Sequence, residues 1–381
     1  MTLYLDAAAT TPVRREALEA MWPYLTGDFG NPSSTHELGE RAAAGLADAR
    51  ARVAAVLGCR ASEVTFTSGG TEGANLAIKG LALGLPRGRH VVTSPIEHEA
   101  VLASAEHLTR WHGFATATTA VDHDGVVTPD ALTSALREDT TLVSIGYANN
   151  EVGTVQDIAA LAAAAREHGA LVHTDAVQAA GWLPLDVSAL NVDALSISGH
   201  KVGAPKGIGA VFLRGRHAVI PVIDGGGQER ERRSGTENVA GAVALATALE
   251  LAEAERVAAA EQVAGLRDRL VTRVLTEIPT ALLTGSAASR LPGHASFCFP
   301  GTSGEAVLLE LERRGVLVSS GSACAAGRDV PSHVLVALGL EPGIAQTAVR
   351  LTMPATLTAA EVDLAATAIV DAVTALALLP R

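Results

Sequence analysis

Residues 63–83 read EVTFTSGGTEGANLAIKGLAL and indicate the type of fold. The first five residues favour an extended strand, because they include β-branched and aromatic side chains. A glycine-rich turn follows, and apolar side chains then recur at helical spacing over residues 72–83. A strand that leads directly into a helix is the repeating unit of a parallel sheet.

The succession of short strands and longer helices extends over the first two-thirds of the chain. We therefore predict an α/β fold in which helices cover both faces of a mainly parallel sheet. The predicted strands are 63–67, 90–93, 141–146, 170–174, 193–198 and 209–213, and the predicted helices are 13–25, 36–57, 72–83, 99–112, 129–137 and 158–168.

The last third of the chain has a different pattern. After the glycine-rich and charged stretch GGGQERERRSGTEN at 225–238, an Ala/Leu/Glu-rich helix is predicted to extend to about residue 278. Shorter strands and two helices follow, which is typical of a smaller α+β domain. We expect a large domain over 13–256 and a small domain formed by 1–12 and 257–381.

Composition and charge exclude several classes of protein. A chain of 381 residues with 48% hydrophobic and 18% charged residues has enough apolar surface for a large core. The net charge of −12 argues against binding to nucleic acids or anionic membranes. The longest uncharged apolar stretch, 239–249, is too short to cross a bilayer, and residues 1–12 lack a secretory leader. We therefore expect a cytoplasmic protein.

Lysine is rare in this sequence. Only three of the 29 basic residues are lysines, namely Lys79, Lys201 and Lys206. Chemistry that needs a neutral primary amine cannot use arginine, because the guanidinium group stays protonated. Lys79 falls within a predicted helix and Lys206 in a glycine-rich turn, whereas Lys201 follows a predicted strand. Lys201 is therefore the candidate nucleophile.

The three cysteines do not form a metal-binding pattern. Cys59, Cys298 and Cys324 are widely spaced, and the sequence has no CxxC pair, so we predict no metal site. Cys59 and Cys298 stand in apolar contexts that favour structural thiols. Cys324 lies in SSGSACAAG at 319–327, a run of small residues that predicts a mobile, exposed loop. A free thiol on such a loop favours a chemical use over an incidental cysteine.

Polar residues follow most of the predicted strands. Ligands bind at the carboxyl ends of strands in open parallel sheets, so these positions are the candidate site. Each position alone also has a plain structural explanation, such as a tight turn or a helix cap. The positions are Gly69–Thr71, His98, Asn149 and Asn150, Asp175 with Gln178, and Ser198 with His200 and Lys201.

Together these residues match the needs of pyridoxal 5′-phosphate (PLP). PLP needs an amine for a Schiff base, a cup for its phosphate and a carboxylate at its pyridinium nitrogen. Lys201 supplies the amine and Asp175 the carboxylate. The turn at Gly69–Thr71 opens a helix and, with Ser198 and His200, supplies the cup.

The sequence resembles the NifS/IscS-type cysteine desulfurases of the class V aminotransferases. The resemblance covers residues 3 to about 365. The motifs RSGT and SSGSAC together resemble those of the group I cysteine desulfurases, which have a long loop at this place. It implies the fold of a fold-type-I PLP-dependent transferase, whose small domain carries a catalytic cysteine loop at about 319–334. The strings that carry it are YLDAAATTP, GNPSSTHELG, FTSGGTEGANLAIKG, IEHEAVL, NNEVGTVQDI, HTDAVQ, SISGHKVGAPKGIG, GGGQERERRSGT and SSGSACAAG.

The resemblance also implies individual roles around the cofactor. Lys201 would bind PLP covalently and move protons, while Asp175 would pair with the pyridinium nitrogen. Gln178 would bond the phenolic oxygen of PLP, and His98 would stack on the ring and assist acid–base steps. The residues implied to hold the phosphate are Gly70, Thr71, Ser198, His200 and, from the second subunit of a homodimer, Thr236.

For the substrate, the resemblance implies L-cysteine. Asn150 and Arg350 would hold its carboxylate, and Cys324 would take its sulfur as a persulfide while alanine is released. A sulfur-acceptor protein, such as an iron–sulfur scaffold or a sulfurtransferase, is the implied partner, in iron–sulfur cluster assembly or thiolated nucleotide biosynthesis. Two alternatives remain: another class V PLP enzyme, such as an aminotransferase or a selenocysteine lyase, and a non-catalytic protein that relays sulfur.

Overall fold

The computed structural model describes residues 2–85, 87–321 and 330–377. Most helices lie within one or two residues of their predicted bounds. The ring of His98 caps the helix that follows it, which begins at Glu99 as predicted. The helices are α1 (Arg15–Thr26), α2 (Glu37–Leu57), α3 (Gly70–Gly84), α4 (Glu99–His112), α5 (Pro129–Ala135), α6 (Ile158–Glu167), α7 (Val239–Glu277), α8 (Gly304–Arg313), α9 (His333–Ala337), α10 (Pro342–Ala345) and α11 (Ala359–Ala377).

The strands form a large central sheet and two small sheets in the described part of the chain. Val64–Thr67 and Ala194–Ser198 are buried at every position, as expected for a sheet covered on both faces. The strands are β1 (Leu3–Tyr4), β2 (Val64–Thr67), β3 (His90–Thr93), β4 (Ala115–Thr118), β5 (Thr140–Ser144), β6 (Leu171–Asp175), β7 (Ala194–Ser198), β8 (Gly209–Leu213), β9 (Leu282–Leu283), β10 (His294–Cys298), β11 (Val316–Leu317) and β12 (Ala348–Thr352).

The central sheet has the strand order β2-β8-β7-β6-β5-β3-β4. The five strands β7, β6, β5, β3 and β4 are parallel to one another, and β8 is antiparallel to both β2 and β7. The prediction of a mainly parallel sheet is therefore confirmed. Because the parallel strands share one direction, their carboxyl ends meet along one edge, and the residues that follow them are brought together there.

One strand of the central sheet, β4, is not among the predicted strands. Residues 115–118, with the sequence ATAT, pair in parallel with β3 at the edge of the sheet. Their side chains alternate between half-buried and exposed, because successive side chains of a strand point to opposite faces of the sheet. Small residues with little apolar surface give a weak strand signal, which explains the omission.

The C-terminal part of the chain has its own core. In β10 and β12, Phe297 packs against Val349 within an apolar cluster that also contains Leu5 near the N-terminus. The strand β1 pairs with β11, so the first residues of the chain join this C-terminal part. The boundary near residue 256 stays a prediction.

The long helix α7 contributes to both cores. Its first half carries Leu245 and Leu249 into the core beneath the central sheet, and its second half carries Val263 and Leu270 into the C-terminal core. No helix in the three described ranges has the length and apolar character needed to cross a membrane.

Candidate active site

A cavity of about 730 Å³ lies at the carboxyl edge of the central sheet. Strand ends that are far apart in sequence supply its walls, together with the segment after β1 and residues of β12. Ten of the twelve residues to which the resemblance assigns a role line this one cavity: Gly70, Thr71, His98, Asn150, Asp175, Gln178, Ser198, His200, Lys201 and Arg350.

Lys201 follows β7 in a short 3₁₀ turn, Gly199–Lys201. Its Nζ donates hydrogen bonds to the carbonyl oxygens of Ala8 and Ala9, the latter at 2.8 Å. Gln178 Nε2 also donates to the Ala8 oxygen, at 3.1 Å. The segment after β1 therefore holds the amine and the Gln178 amide side by side in the cavity wall.

The N-terminus of α3 forms a cup that fits a phosphate group. The helix begins at Gly70, so the unpaired N–H groups of its first turn lie beside Thr71 and Ser198 at the cavity. A Cβ atom on Gly70 would lie only 2.5 Å from Cγ2 of Val177, and Gly69 has a φ of +155° that favours glycine. Glycine at both positions lets the backbone approach an anion closely.

Asp175 is the last residue of β6 and presents a carboxylate to the cavity. Its Oδ1 accepts a hydrogen bond from the backbone N–H of Val177 at 2.9 Å. Burial raises the pKa of Asp175, while the positive charges of His98 and Lys201 lower it. A cation in the cavity, such as a pyridinium N–H, would compensate the cost of burying this carboxylate.

The two predicted histidines have different surroundings. His98 Nδ1 accepts a hydrogen bond from the N–H of Ala100 at 3.0 Å, so the neutral ring carries its proton on Nε2. Burial, together with the charges of Lys201 and Lys206, lowers the pKa of His200 to about 4. His200 is therefore a neutral hydrogen-bonding group near the phosphate cup at physiological pH.

Arg350 in β12 is almost fully buried and firmly held. One terminal nitrogen, Nη1, donates to the carbonyl oxygen of Asn150 at 2.9 Å, and the other, Nη2, donates to Asp6 Oδ1 at 2.6 Å. Within the described part of the chain, the Nε–H of Arg350 has no acceptor. A carboxylate is the acceptor that best matches a guanidinium group, so a ligand carboxylate would satisfy this donor.

Thr236 and Cys324 are the two predicted site residues outside this lining. Thr236 is exposed on the loop before α7, so its role toward a second subunit stays a prediction. Cys324 lies outside the described residues. Gly321 and Val330, which flank residues 322–329, both line the cavity, and the chain on either side of that stretch therefore borders the site.

The other two cysteines are unsuited to nucleophilic chemistry. Cys298 is fully buried, and burial raises its pKa to about 11. Burial also raises the pKa of the half-buried Cys59, to about 12. Both thiols stay protonated near neutral pH, which fits the structural role predicted for them. Among the described residues, no cluster of His, Cys, Asp and Glu side chains could hold a metal ion.

The polar residues of the site that sequence reasoning missed include Glu97, His333 and Asp6. Glu97 lines the cavity beside His98, and His333 Nε2 donates a hydrogen bond to the Glu97 backbone carbonyl oxygen, at 3.1 Å. Asp6 holds Arg350 from the side of the N-terminal segment. Glu97 could have been found from its place after a strand, next to the predicted His98. Neither Asp6 nor His333 has a local signal that points to this cavity.

Comparisons with known proteins identify the relatives of this chain. Residues 3–364 match the family described as Aminotransferase class-V. The chain is 44% identical over 352 residues to "Cysteine desulfurase IscS" of Dictyoglomus turgidum, covering 92% of this chain and 89% of that protein. A solved structure of a "NIFS-LIKE PROTEIN" superposes with a TM-score of 0.92 at 38% identity, covering 99% of this chain and 100% of that one. The structure "SspA in complex with cysteine" superposes with a TM-score of 0.81 at 36% identity, covering 93% and 99%.

The chain therefore belongs to the aminotransferase class-V family, whose fold is that of the fold-type-I PLP-dependent transferases. Within that family it is one of the PLP-dependent cysteine desulfurases. The predicted resemblance, fold class, enzyme class and cofactor are confirmed. The amine of Lys201, the carboxylate of Asp175 and the cup at Gly70 fit PLP.

Proposed function

We propose that this enzyme converts L-cysteine to L-alanine and leaves the sulfur as a persulfide on Cys324. The proposal rests on one observation: three groups line the same cavity, namely the Lys201 amine, the Asp175 carboxylate and the Arg350 guanidinium. The cavity is bordered by both flanks of residues 322–329, which contain Cys324.

Arg350 and Asn150 select an α-carboxylate. Arg350 is held by Asp6 and by the Asn150 carbonyl oxygen, so its position does not depend on the substrate. Its Nε–H, without an acceptor in the described ranges, supplies a charge-assisted hydrogen bond to the substrate carboxylate. The side chain of Asn150 lies at the same cavity and adds a neutral donor.

Lys201 and His98 move the protons. When bound, PLP supplies an electron sink that stabilises negative charge on the substrate α-carbon. As a free amine, Lys201 Nζ would remove the α-proton of the substrate and later return a proton to the product. His98 Nε2–H donates a hydrogen bond within the cavity, since Nδ1 accepts a hydrogen bond from the N–H of Ala100. Asp175 holds the proton on the pyridinium nitrogen.

Sulfur transfer from cysteine balances without an added oxidant or reductant. The Cys324 thiolate forms a bond to the substrate sulfur, and the carbon–sulfur bond of the substrate breaks. Its electron pair stays with the carbon, which takes up a proton, so that cysteine and the enzyme thiol give alanine and the enzyme persulfide. Thiolate attack is the ordinary chemistry of cysteine, and Cys59 and Cys298 are too buried to compete.

A homodimer that shares its active sites is part of this proposal. Leu18, Trp22 and Leu25 are exposed on one face of α1, and Phe29 follows them as another exposed aromatic residue. An apolar surface of this kind supports contact with a second subunit. The exposed Thr236, outside the lining of its own cavity, would then reach the phosphate cup of the second subunit.

The persulfide would be passed to a second protein in the cytoplasm. We assign that acceptor to the proteins that build iron–sulfur clusters or thiolate nucleotides, and we place no nucleic acid or membrane among the direct partners. The negative net charge of the chain supports the last point, because phosphate backbones and anionic lipids repel such a surface.

The proposal is tested by supplying L-cysteine with a thiol reductant and quantifying alanine and sulfide. The wild type is expected to release both in equal amounts, and Cys324→Ser to release neither. Cys59→Ser serves as the control and should retain the activity, because that thiol is protonated and half-buried. Equal activity in Cys324→Ser and the wild type would contradict the proposal and favour a different reaction of a class V enzyme.

A further inference from the structure

Glu97 is a buried carboxyl group to which the mechanism above gives no role. It follows β3, is 4% exposed, and lines the cavity. The backbone N–H of Gly146, just beyond β5, donates to both of its oxygens at 3.0 and 2.9 Å. The hydroxyl of Ser94 lies 2.6 Å from Oε1. Glu97 thus connects the carboxyl ends of two neighbouring strands.

A second carboxyl group, Asp175, lies close enough to act on Glu97 electrostatically. Burial and the charge of Asp175 raise the pKa of Glu97 to about 7. The other titratable groups that line the cavity are His98, Glu99, Glu151, Asp175, His200, Lys201, His333 and Arg350. The charges of His98 and Lys201 favour ionised Asp175. The positive groups of the site therefore compensate Asp175 and not Glu97.

We propose that Glu97 carries a proton in the folded enzyme up to neutral pH and acts as a neutral positioning residue, so that Asp175 is left as the carboxylate available to the cofactor. This rests on the assignment of PLP as the cofactor. The single positive charge of a pyridinium nitrogen can compensate one carboxylate. A second carboxylate buried beside it would lack a counter-charge, and such a charge is costly in a protein interior.

The hydrogen bonds of Glu97 are compatible with a neutral acid. A carboxylic acid needs one acceptor for its O–H, and the Ser94 hydroxyl can accept as well as donate. The Gly146 N–H bonds the carboxyl group in either state. Protonated Glu97 can therefore hold the ends of β3 and β5 together, and through Gly146 it fixes the cavity wall next to Asp175.

The test compares the thermal unfolding of the holoenzyme and of Glu97→Gln between pH 5 and pH 8. Glutamine imitates the neutral acid. If the pKa of Glu97 is higher in the folded protein than in the unfolded chain, the folded state binds more protons between pH 5 and pH 8. The wild type then loses stability relative to the variant as pH rises. The Tm difference, variant minus wild type, should therefore increase by roughly 5 °C from pH 5 to pH 8.

A flat Tm difference would overturn the proposal. If Glu97 is ionised in the native state, both the folded and the unfolded chain have lost its proton above about pH 5, and the Tm difference between the variant and the wild type does not change up to pH 8. Glu99→Gln, a change at an exposed neighbour, should leave the Tm difference flat. The readout is independent of desulfurase activity, so failure of the proposed function would not disturb it.

A second measurement covers the case in which Glu97→Gln does not fold. Infrared difference spectra of the wild-type holoenzyme at pH 6 and pH 9 should show the carbonyl band of a protonated, buried carboxylic acid that is lost at the higher pH. Ser94→Ala, which removes the 2.6 Å partner, should shift that band. Absence of the band at pH 6 would contradict the proposal.

Discussion

Arg350 donates a hydrogen bond from Nη2 to Asp6 Oδ1 at 2.6 Å, although the two residues are 344 positions apart in the sequence. The Arg350 side chain is 3% exposed, and that of Asp6 is 20% exposed. The pair therefore compensates a buried positive charge before any substrate arrives. It also ties the N-terminal segment, which holds Lys201 through Ala8 and Ala9, to the strand that carries the carboxylate-binding arginine.

Asp6→Asn is expected to destabilise the protein by about 3 kcal/mol, because it leaves the buried guanidinium of Arg350 without a counter-charge. Equilibrium unfolding in urea measures the change in the free energy of unfolding. Asp363→Asn is the control, since Asp363 pairs with Arg269 at an exposed site. Its effect should stay below about 1 kcal/mol. Equal effects of the two variants would show that burial of the Asp6–Arg350 pair has no energetic consequence.

Lys201→Ala is expected to abolish the covalent link to the cofactor. Only a neutral primary amine forms a Schiff base, and Lys79 and Lys206 do not line the cavity. After treatment with borohydride and denaturation, the wild type and Lys79→Arg should retain the cofactor, as seen by intact-protein mass, and Lys201→Ala should lose it. Retention by Lys201→Ala would assign the link to another lysine.

Stability should fall as pH drops from about 6.5 toward 4, in part because of His173. This residue bridges Ser144 and Ser196 inside the sheet, and burial lowers its pKa to about 3. The unfolded chain binds a proton at His173 in this range and the folded chain does not. Stability due to His173 is therefore complete above pH 6.5 and falls by about 1.4 kcal/mol per pH unit below it.

His173→Asn should reduce the slope of the free energy of unfolding against pH by about 1.4 kcal/mol per pH unit, which corresponds to one proton. Urea unfolding at several pH values measures this slope. His123→Asn, at an exposed position, should leave the slope unchanged. A pH dependence identical in the wild type and His173→Asn would refute the assignment.

Thr236 should act on the site of the second subunit. Co-expressing Lys201→Ala with Thr236→Ala subunits produces mixed dimers in which one site combines an intact Lys201 with an intact Thr236 from the other chain. If Thr236 acts across the interface, that site regains cysteine turnover and cofactor retention above either variant alone. Absence of rescue, in a mixture shown to contain mixed dimers, would place Thr236 at its own chain's site or at none.

The fold was largely predictable because its determinants are local. The strands at 90–93 and 209–213 and the helix at 99–112 were predicted with the bounds that the structure has. Apolar periodicity and helix caps act within a few residues, so the sequence displays them directly. The strand at 115–118 was not predicted, because it is stabilised by pairing with β3 and its small residues give no local pattern that indicates this contact.

The site was predictable where chemistry restricts the residue type. Lys201 and Asp175 follow strands, and the edge of a parallel sheet brings such positions together. Asp6 meets Arg350 only through the tertiary fold, and no local pattern connects them. Glu97 was overlooked because a carboxylate beside a helix cap resembles an ordinary surface residue until its burial is known.

The central claim is that Cys324 receives the sulfur of cysteine, and a single-turnover experiment tests it most directly. The holoenzyme is mixed with L-cysteine in the absence of a reductant, alkylated, and digested for peptide mass analysis. The account predicts alanine at one molecule per active site and a gain of one sulfur atom on the peptide that contains Cys324. Alanine without added sulfur on that peptide, or added sulfur on Cys59 or Cys298 instead, would contradict it.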